Sequence, residues 1–299
     1  YNDDYYPDNY PTFNRRAWSD EYGGYVTLQH RFGNFVVKPG IRFEFNEANC
    51  EVDGYMYEYQ KKNYFNLRPS LHFSYRTKSM HNFKLSYSRR VSNPDARNLT
   101  NFIRYNEEDV SMGNPDLKSV YTNSFDAGWT KYFEKFGSVG LSAYYRDSEG
   151  TINSVTENYY DTLVFGRWVR MMMPVNVGRT YNAGVEANVM YRPNGFFNVR
   201  FYANLYDSYY KTDYKGKEVE SEMLSYSLRL NLWAKLWNKL EIHASGHYRS
   251  ATQSLYAERR PSYSINCGLK SDFFDKKMTV FLNVNDIFNW NSWDNNTYN

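Results

Sequence analysis

Apolar and polar residues alternate with a period of two along twelve segments of this 299-residue chain. In one of them, Phe197, Val199 and Phe201 alternate with Asn198 and Arg200. Since successive side chains of a β-strand point to opposite faces, each such segment has one apolar face and one polar face. Repeated along a whole chain, with short turns between pairs of segments, this alternation predicts an all-β, antiparallel, up-and-down transmembrane β-barrel with lipid outside and water inside.

The composition is compatible with a barrel and excludes a membrane protein built from spanning helices. Mean hydropathy is −0.78, and no apolar run approaches the roughly 18 residues that a spanning helix needs. A barrel strand needs only about 9–11 residues and hides its polar half in the interior. Aromatic residues make up 19% of the chain, which suits the aromatic girdles at the two membrane interfaces. The alternative is a soluble, tyrosine-rich β-sandwich.

The twelve predicted strands, the short turns and the longer polar connections follow one another regularly. The strands are 20–32, 35–46, 59–75, 82–91, 119–133, 138–149, 176–192, 196–210, 220–236, 240–256, 262–273 and 278–287. Short turns are predicted at 33–34, 77–81, 134–137, 193–195, 237–239 and 274–277, and longer connections at 47–58, 92–118, 150–175, 211–219 and 257–261. Short turns at one end and long connections at the other are typical of the periplasmic and extracellular ends of an outer-membrane barrel.

The direction of the strands predicts that the chain is one part of a larger barrel. With the short turns in the periplasm, the first strand starts outside the cell and the twelfth strand also ends there. Open strand edges in lipid would leave unpaired backbone groups, which cost several kcal/mol each. We therefore expect residues 1–299 to form a single, partial outer-membrane barrel domain, with an odd number of strands missing on each side.

Four strings of residues, in this order, resemble the barrel of TonB-dependent outer-membrane receptors, in the branch called the outer membrane protein beta-barrel family. The strings are Tyr87-Ser88-Arg89-Arg90, Gly113-Asn114-Pro115-Asp116-Leu117-Lys118, Gly184-Val185-Glu186 and Asp286-Ile287-Phe288-Asn289. Ser119 and Val120 stand where the family has Pro-Glu. We interpret the strings as mainly structural. Gly113-Asn114-Pro115 predicts a sharp turn at the extracellular rim, since asparagine tolerates left-handed backbone and proline fixes φ.

The resemblance implies a Gram-negative outer-membrane receptor that takes up a scarce solute actively, such as an iron chelate, an oligosaccharide or a peptide. The whole barrel would have about 22 strands, of which this chain supplies the tenth to the twenty-first. Its implied partners are outer-membrane lipid, the rest of its own barrel, an amino-terminal plug domain and, through that plug, the TonB energy-coupling complex. A surface lipoprotein that captures substrate is a further expected partner. The nearly balanced charge, +3, argues against nucleic acid as a partner.

Two groups of side chains are candidates for function. The long connections carry aromatic and polar residues that suit ligand capture, although they could equally pack the rim. These residues are Arg97, Asn98, Arg104, Tyr105, Tyr159, Tyr160, Trp168 and Arg170. The polar faces of the strands carry charges that we expect to face the plug, namely Arg68, Lys84, Glu186, Arg200, Arg229 and Glu241.

The sequence predicts no catalytic residue, metal site or cofactor. His243 and His247 flank Ser245 on one strand, but same-face neighbours on a strand lie about 6.8 Å apart, too far for a nucleophile and its base. An enzyme, specifically an outer-membrane lipid hydrolase, is therefore the function that the sequence supports least. A passive porin-like barrel and a structural or adhesion barrel are also compatible with the alternating strands.

Overall fold

The computed structural model describes residues 13–106, 109–236, 239–253, 257–275, 277–290 and 295–297. Eighteen strands and one short 3₁₀ helix, Ala96–Asn98, are present in these ranges. The strands are β1 Asn14–Thr27, β2 His30–Phe32, β3 Phe35–Asp53, β4 Tyr57–Arg76, β5 His81–Ser92, β6 Arg104–Tyr105, β7 Asp109–Ser111, β8 Val120–Phe133, β9 Gly137–Asp161, β10 Arg167–Asn194, β11 Phe197–Tyr214, β12 Lys217–Leu236, β13 Leu240–Arg249, β14 Thr252–Gln253, β15 Ala257–Arg259, β16 Ser262–Phe273, β17 Met278–Val284 and β18 Asn295–Thr297.

Twelve long strands lie side by side in one antiparallel sheet, in the order β1-β3-β4-β5-β8-β9-β10-β11-β12-β13-β16-β17. Short strands extend this sheet to 15 strands, and β14, β15 and β18 form a separate three-stranded sheet. The described part of the sheet does not close on itself, because β1 and β17 are not paired with each other. The predicted twelve-strand, up-and-down antiparallel arrangement is therefore confirmed. In the described ranges, no helix has the length and apolar character needed to cross a membrane.

The two faces of the sheet differ as the alternation predicts. On the outer face, Phe65, Leu85 and Val185 are 64%, 55% and 53% exposed. On the inner face, Asn66 and Ser124 are each 1% exposed. A soluble protein would bury the apolar face instead, so the exposed aliphatic and aromatic rows are the pattern expected of a barrel wall that faces a membrane. Aromatic rings cluster above this apolar band, for example Tyr181 and Tyr209, which are stacked with centroids 4.6 Å apart.

Four of the predicted long connections are wrong, because strands occupy most of their length. In the shortest, 257–261, the strand is β15, Ala257–Arg259. β3 and β4 pair from Phe35↔Tyr75 up to Asp53↔Tyr57, so the connection 47–58 is reduced to a turn at 54–56. β9 and β10 likewise pair up to Asp161 and Arg167, which leaves only 162–166 of the connection 150–175. The β11/β12 ladder reaches Tyr214↔Lys217, so the connection 211–219 is also a tight hairpin. The strands of these long hairpins rise well beyond the length needed to span the membrane.

A β-bulge explains why the alternation of apolar and polar residues does not predict strands in the upper half of the β9/β10 hairpin. The register passes from Glu149↔Arg179 to Gly178↔Thr151, so Gly150, with φ +69°, is left unpaired. A second shift follows between Gly178 and Asn176 on β10. Each extra residue reverses which side chains face inward, so the alternation changes phase at this height.

Other boundaries differ by a few residues. The predicted strand 20–32 is divided into β1 and β2 opposite Pro39, which accepts a hydrogen bond from the Leu28 amide but has no N–H to donate in return. Of the predicted strand 240–256, β13 ends at Arg249, the short β14 covers Thr252–Gln253, and 254–256 lie outside the described residues. The predicted strand 278–287 ends at Val284. The predicted strand 262–273 is confirmed at both ends.

Candidate functional site

The connection between β5 and β8, residues 93–119, folds against the inner face of the sheet, and we call it the inner loop. Its first half buries three apolar side chains there, Ala96, Leu99 and Phe102. They pack against Ala48, Cys50, Val52 and Tyr64 of β3 and β4. Because these contacts lie on the inner face, the loop covers the interior instead of standing above the rim.

The same loop reaches across to the other side of the sheet. Within it, β7 pairs in parallel with the upper end of β10, in the register Arg170↔Asp109 to Met172↔Ser111. Val110 is fully buried in this contact, packed against Val169 and Met171. The inner loop therefore spans the interior from β3 and β4 to β10.

The string from Gly113 to Lys118 fastens the loop, and it does so by a different geometry from the one we predicted. The Asn114 amide donates to the Asn98 carbonyl at 2.6 Å, and its side-chain Nδ2 donates to the Pro174 carbonyl at 3.0 Å. The predicted sharp turn is present, closed by the Leu117 amide donating to the Asn114 carbonyl at 3.3 Å, but neither Asn114 nor Gly113 has a positive φ and the turn lies on the inner face instead of at the rim. Glycine is required because a β-carbon at 113 would lie 2.5 Å from the Thr100 carbonyl oxygen.

Side chains from the barrel wall complete this attachment. Lys62 Nζ donates to the Pro115 carbonyl at 2.6 Å, and the Tyr64 hydroxyl donates to the Leu117 carbonyl at 3.1 Å. On the opposite side, Asn176 accepts from the Lys118 amide at 2.8 Å. These partners on the wall are isolated in the sequence, so no motif points to them.

An amide network joins the two ends of the inner loop. Asn93 Oδ1, at the entry, accepts from Asn66 Nδ2 at 2.9 Å and from Ser119 Oγ, at the exit, at 2.8 Å. The Tyr121 hydroxyl donates to Asn66 Oδ1 at 3.0 Å. Asn66 is almost fully buried. Its Nδ2 and Oδ1 atoms therefore both make hydrogen bonds within the network that holds the two ends of the loop together.

The predicted ligand-capture residues do not form one surface. Tyr105 and Tyr159 lie on the inner face, packed around Val110. Trp168 and Tyr160 lie on the outer face of the same hairpin, with ring centroids 5.5 Å apart, and Trp168 is 66% exposed. Arg170 lies on the same outer face, where it makes a bidentate ion pair with Asp109, with N–O distances of 2.9 and 3.2 Å.

The remaining members of the group lie along the inner loop. Arg97 is exposed and ion-paired with Asp95, while the carbonyl of Asn98 accepts from Asn114. Arg104 is half-buried, and burial together with the nearby Arg15 lowers the pKa of its guanidinium. No ion-pair partner for Arg104 is present in the described residues. It is therefore an inward cation that a negatively charged solute could neutralise.

Asp161 holds the tip of the β9/β10 hairpin and orients Tyr105. Its carboxylate accepts from the amides of Val164 and Phe165 at 2.8 and 2.6 Å, and from the Tyr105 hydroxyl at 2.9 Å. Burial opposes ionisation of this carboxyl, but the hydrogen bonds outweigh it and lower its pKa. Burial and the bond to Asp161 raise the pKa of Tyr105, so Tyr105 remains a neutral donor.

The six charged residues predicted to face the plug all lie on the inner face, and three of them have partners there. Arg68 pairs with Glu44 at 2.7 Å, and Glu241 with Lys270 at 3.5 Å. Glu186 accepts from the Tyr202 hydroxyl at 2.9 Å. In the described part of the chain, no ion pair involves the other three, which are Lys84, Arg200 and Arg229. A cavity of about 540 Å³ under the inner loop is lined by residues that include Arg68 and Arg97.

The other three family strings have structural roles in the wall. Gly184 lies opposite Tyr144, whose phenol crosses it and donates to Asn204 on the next strand at 3.2 Å. Tyr87 and Arg89 both donate to Asn123 Oδ1, whereas Arg90 is exposed on the inner face.

The last of these strings follows β17 as a turn. Asp286 and Asn289 have positive φ values of 46° and 52°. The Asp286 carboxylate accepts from the Trp290 amide at 3.1 Å, and the Phe288 ring stacks on Trp290 with centroids 4.3 Å apart. The string therefore ends the strand instead of continuing it.

The serine between the two histidines has a different partner. Ser245 Oγ accepts from Asn266 Nδ2 at 3.2 Å, and no histidine contacts it in the described ranges. Those ranges also hold no group of three His, Cys, Asp or Glu side chains arranged to bind a metal ion. Ser245 lies on the inner face of the sheet.

Comparisons with solved structures place this fold among outer-membrane receptors. The FrpB iron transporter from Neisseria meningitidis (F3-3 variant) aligns with a TM-score of 0.65 at 14% identity, over 94% of this chain and 44% of that one. The siderophore receptor PirA from Pseudomonas aeruginosa aligns with a TM-score of 0.65 at 12% identity, over 92% and 54%. The ferric enterobactin receptor PfeA from the same organism aligns with a TM-score of 0.61 at 12% identity, over 92% and 49%.

The chain thus spans about half the length of these solved structures. No curated protein matches its sequence. The model of the outer membrane protein beta-barrel family matches residues 2–299. Because this match covers nearly the whole chain, the chain belongs to the outer membrane protein beta-barrel family and is part of a β-barrel of the Gram-negative outer membrane.

Proposed function

We propose that this chain is the wall and part of the capture surface of a TonB-dependent receptor that actively imports a scarce solute. The remaining strands and the plug domain would be supplied by other parts of the same protein. The observation that supports this proposal most is the inner loop, which is fastened to β4 on one side and to β10 on the other. A loop fixed across the interior suits selective transport better than free diffusion.

The inner face of the loop region is the proposed solute site. Arg104 supplies a positive charge that has no ion-pair partner among the described residues, and Tyr105 and Tyr159 supply aromatic surface on the side of the loop where Val110 packs. Arg97 and Asn98 lie on the same loop and would contact solute as it enters. Arginine and tyrosine together suit a solute with anionic and planar groups.

An iron chelate is the first solute class to test, with oligosaccharides and peptides next. The structural neighbours include proteins named an iron transporter, a siderophore receptor and a ferric enterobactin receptor. At such low sequence identity, the structural similarity supports the fold alone, so the class of solute is our proposal.

The unpaired cations on the inner face support a plug. Lys84, Arg200 and Arg229 point into the interior without an ion-pair partner in the described ranges. Charges held in a confined interior need compensation, and a plug domain with carboxylates at matching heights would provide it. The TonB complex would act through that plug, and a surface lipoprotein could cap the extracellular end.

Energy dependence of uptake separates this proposal from a passive barrel. Cells that carry the full-length protein are given a radiolabelled iron chelate, with and without a protonophore that abolishes the inner-membrane proton gradient. We expect uptake to depend on the gene and to fall to the background of the deletion strain when the gradient is lost. Uptake that depends on the gene but persists without the gradient would show a porin-like barrel instead.

A further inference from the structure

The outer half of the predicted capture group forms a groove of its own. Asp109, Asn158, Arg167, Trp168, Val169 and Arg170 line this outer groove, whose volume is about 450 Å³. Because Trp168 alternates with the buried Val169, the groove opens on the side opposite the proposed solute site. It therefore needs an occupant that approaches the protein from outside the barrel.

The lining combines one open aromatic platform with planar polar groups. Trp168 is 66% exposed, and its only ring contact among the described residues is the edge-to-face contact with Tyr160. Asn158 lies opposite Arg170 on β9, and the Arg170–Asp109 ion pair leaves further guanidinium N–H groups and carboxylate lone pairs free. An aromatic face flanked by amide, guanidinium and carboxylate groups matches the C–H face and the hydroxyl groups of a sugar ring.

The height of the groove identifies where such a sugar would come from. β10 has 28 residues, whereas spanning the membrane takes about 9–11. Trp168 is the second residue of β10 from its outer end, so it stands well above the acyl chains. The same outer face, lower down, carries the exposed lipid-facing residues. The glycolipids of a Gram-negative outer membrane carry oligosaccharides that extend outward from the acyl chains, alongside the parts of a barrel wall that rise above the membrane.

We propose that the outer groove binds a sugar of the glycolipids that surround the barrel, with the sugar ring stacked on Trp168. Asn158, Asp109 and Arg170 hydrogen-bond its hydroxyl groups. Arg167 adds positive charge at the rim, which favours acidic or phosphorylated sugars. This inference rests on the outer-membrane location and the hairpin geometry, and it does not depend on which solute is imported.

Binding of delipidated oligosaccharide tests the proposal directly. The full-length protein, purified in detergent, is titrated with the oligosaccharide released by mild acid from the host's own outer-membrane glycolipid. We expect Trp168→Ala to weaken this binding at least about tenfold, since it removes the stacking platform. Trp168→Tyr keeps a ring and should stay within about threefold of wild type. Leu163→Ala, an exposed apolar residue at the same hairpin tip but outside the groove, is the matched control and should bind as wild type does.

Three results would overturn the inference. They are no binding of the oligosaccharide by wild type, equal binding by Trp168→Ala, or binding of the lipid portion alone that matches the intact glycolipid. Uptake of the iron chelate is measured on the same variants. If uptake fails while oligosaccharide binding responds to Trp168→Ala, the proposed import function is wrong and the outer groove stands.

Discussion

The phenol ring of Tyr144 lies across the α-carbon of Gly184, its direct partner on the neighbouring strand. A β-carbon at 184 would lie 2.6 Å from the ring and 2.8 Å from the β-carbon of Tyr206. An aromatic ring that covers a glycine of the facing strand pins strand register, because a shift by one residue would remove the space for the ring. This pair explains physically why the family string needs glycine here.

Gly184→Ala should therefore destabilise the barrel wall. The ring of Tyr144 can move, but the β-carbon of Tyr206 is fixed to its backbone, so overpacking should cost about 1–3 kcal/mol. The measurement is the urea midpoint of the full-length protein in lipid vesicles. Gly128→Ala is the control, because its new β-carbon would meet nothing closer than 3.6 Å. Equal midpoints for the two variants would contradict the register role of Gly184.

Gly113→Ala should loosen the inner loop without changing the stability of the wall. The added β-carbon would lie 2.5 Å from the Thr100 carbonyl oxygen and 2.6 Å from that of Asn98, so the two limbs of the loop must separate. We expect proteolytic cleavage within 93–106 to become at least about tenfold faster. Gly246→Ala, which has open space around the new β-carbon, should cleave at the wild-type rate. Unchanged cleavage of Gly113→Ala would show that the limbs are not held together.

The docking of β7 on β10 should depend more on Val110 than on the Arg170–Asp109 ion pair. Val110 is fully buried, so Val110→Ala should cost about 1–3 kcal/mol. The ion pair is solvent-exposed on the arginine side, so Arg170→Ala should cost no more than about 1 kcal/mol. The measurement is the hydrogen-exchange rate of the backbone amides at positions 110 and 111. We expect this rate to rise more in Val110→Ala than in Arg170→Ala. A larger effect of Arg170→Ala would mean that charge, and not burial, holds the strand.

The hairpin tip should lose protection in acid through Asp161. Its folded pKa lies below the ordinary 3.8, so the unfolded tip binds protons more readily than the folded tip. The stabilisation is therefore complete well above pH 3.8, declines below it and is lost as the pH falls through the lowered pKa. Protection factors for the amides of Val164 and Phe165 report this directly. Asp161→Asn should show no such decline, and a decline that persisted in this variant would assign the titration to another group.

Solute binding should respond to the inner half of the predicted capture group and not to the outer half. Arg104→Gln removes the inward charge, so we expect affinity for an anionic iron chelate to fall at least about tenfold. Trp168→Ala, on the opposite face of the hairpin, should leave that affinity within about twofold. Equilibrium binding of the chelate to the purified full-length protein provides the measurement. The reverse order of effects would move the solute site to the outer face.

The membrane-spanning part of the fold could be predicted from sequence because lipid imposes a strict rule there. Every second residue must be apolar, and the strand 262–273 was predicted with the bounds that the structure shows. Above the membrane both faces are wet, so Ser154, Thr156 and Asn158 alternate with no consistent apolar partner and resemble a loop. The bulge at Gly150 then reverses the phase of the alternation.

The candidate site was harder to predict for the same reason. Because no strands were predicted in 150–175, the sequence did not show that Tyr159 and Tyr160 lie on opposite faces of the hairpin. The same holds for Trp168 and Val169. The partners that hold the inner loop, such as Lys62, belong to strands distant in sequence and carry no motif. Only the string from Gly113 to Lys118 marked the loop, and the sequence assigned it to the rim instead of the interior.

The bulge at Gly150 has a consequence for how such hairpins can change in length. One residue added to or deleted from β10 between the bulge and Trp168 would exchange the inward and outward side chains, turning Trp168 toward the proposed solute site and Val169 toward the outer face. Related proteins should therefore lengthen or shorten this hairpin by even numbers of residues, or gain a compensating bulge whenever the number is odd.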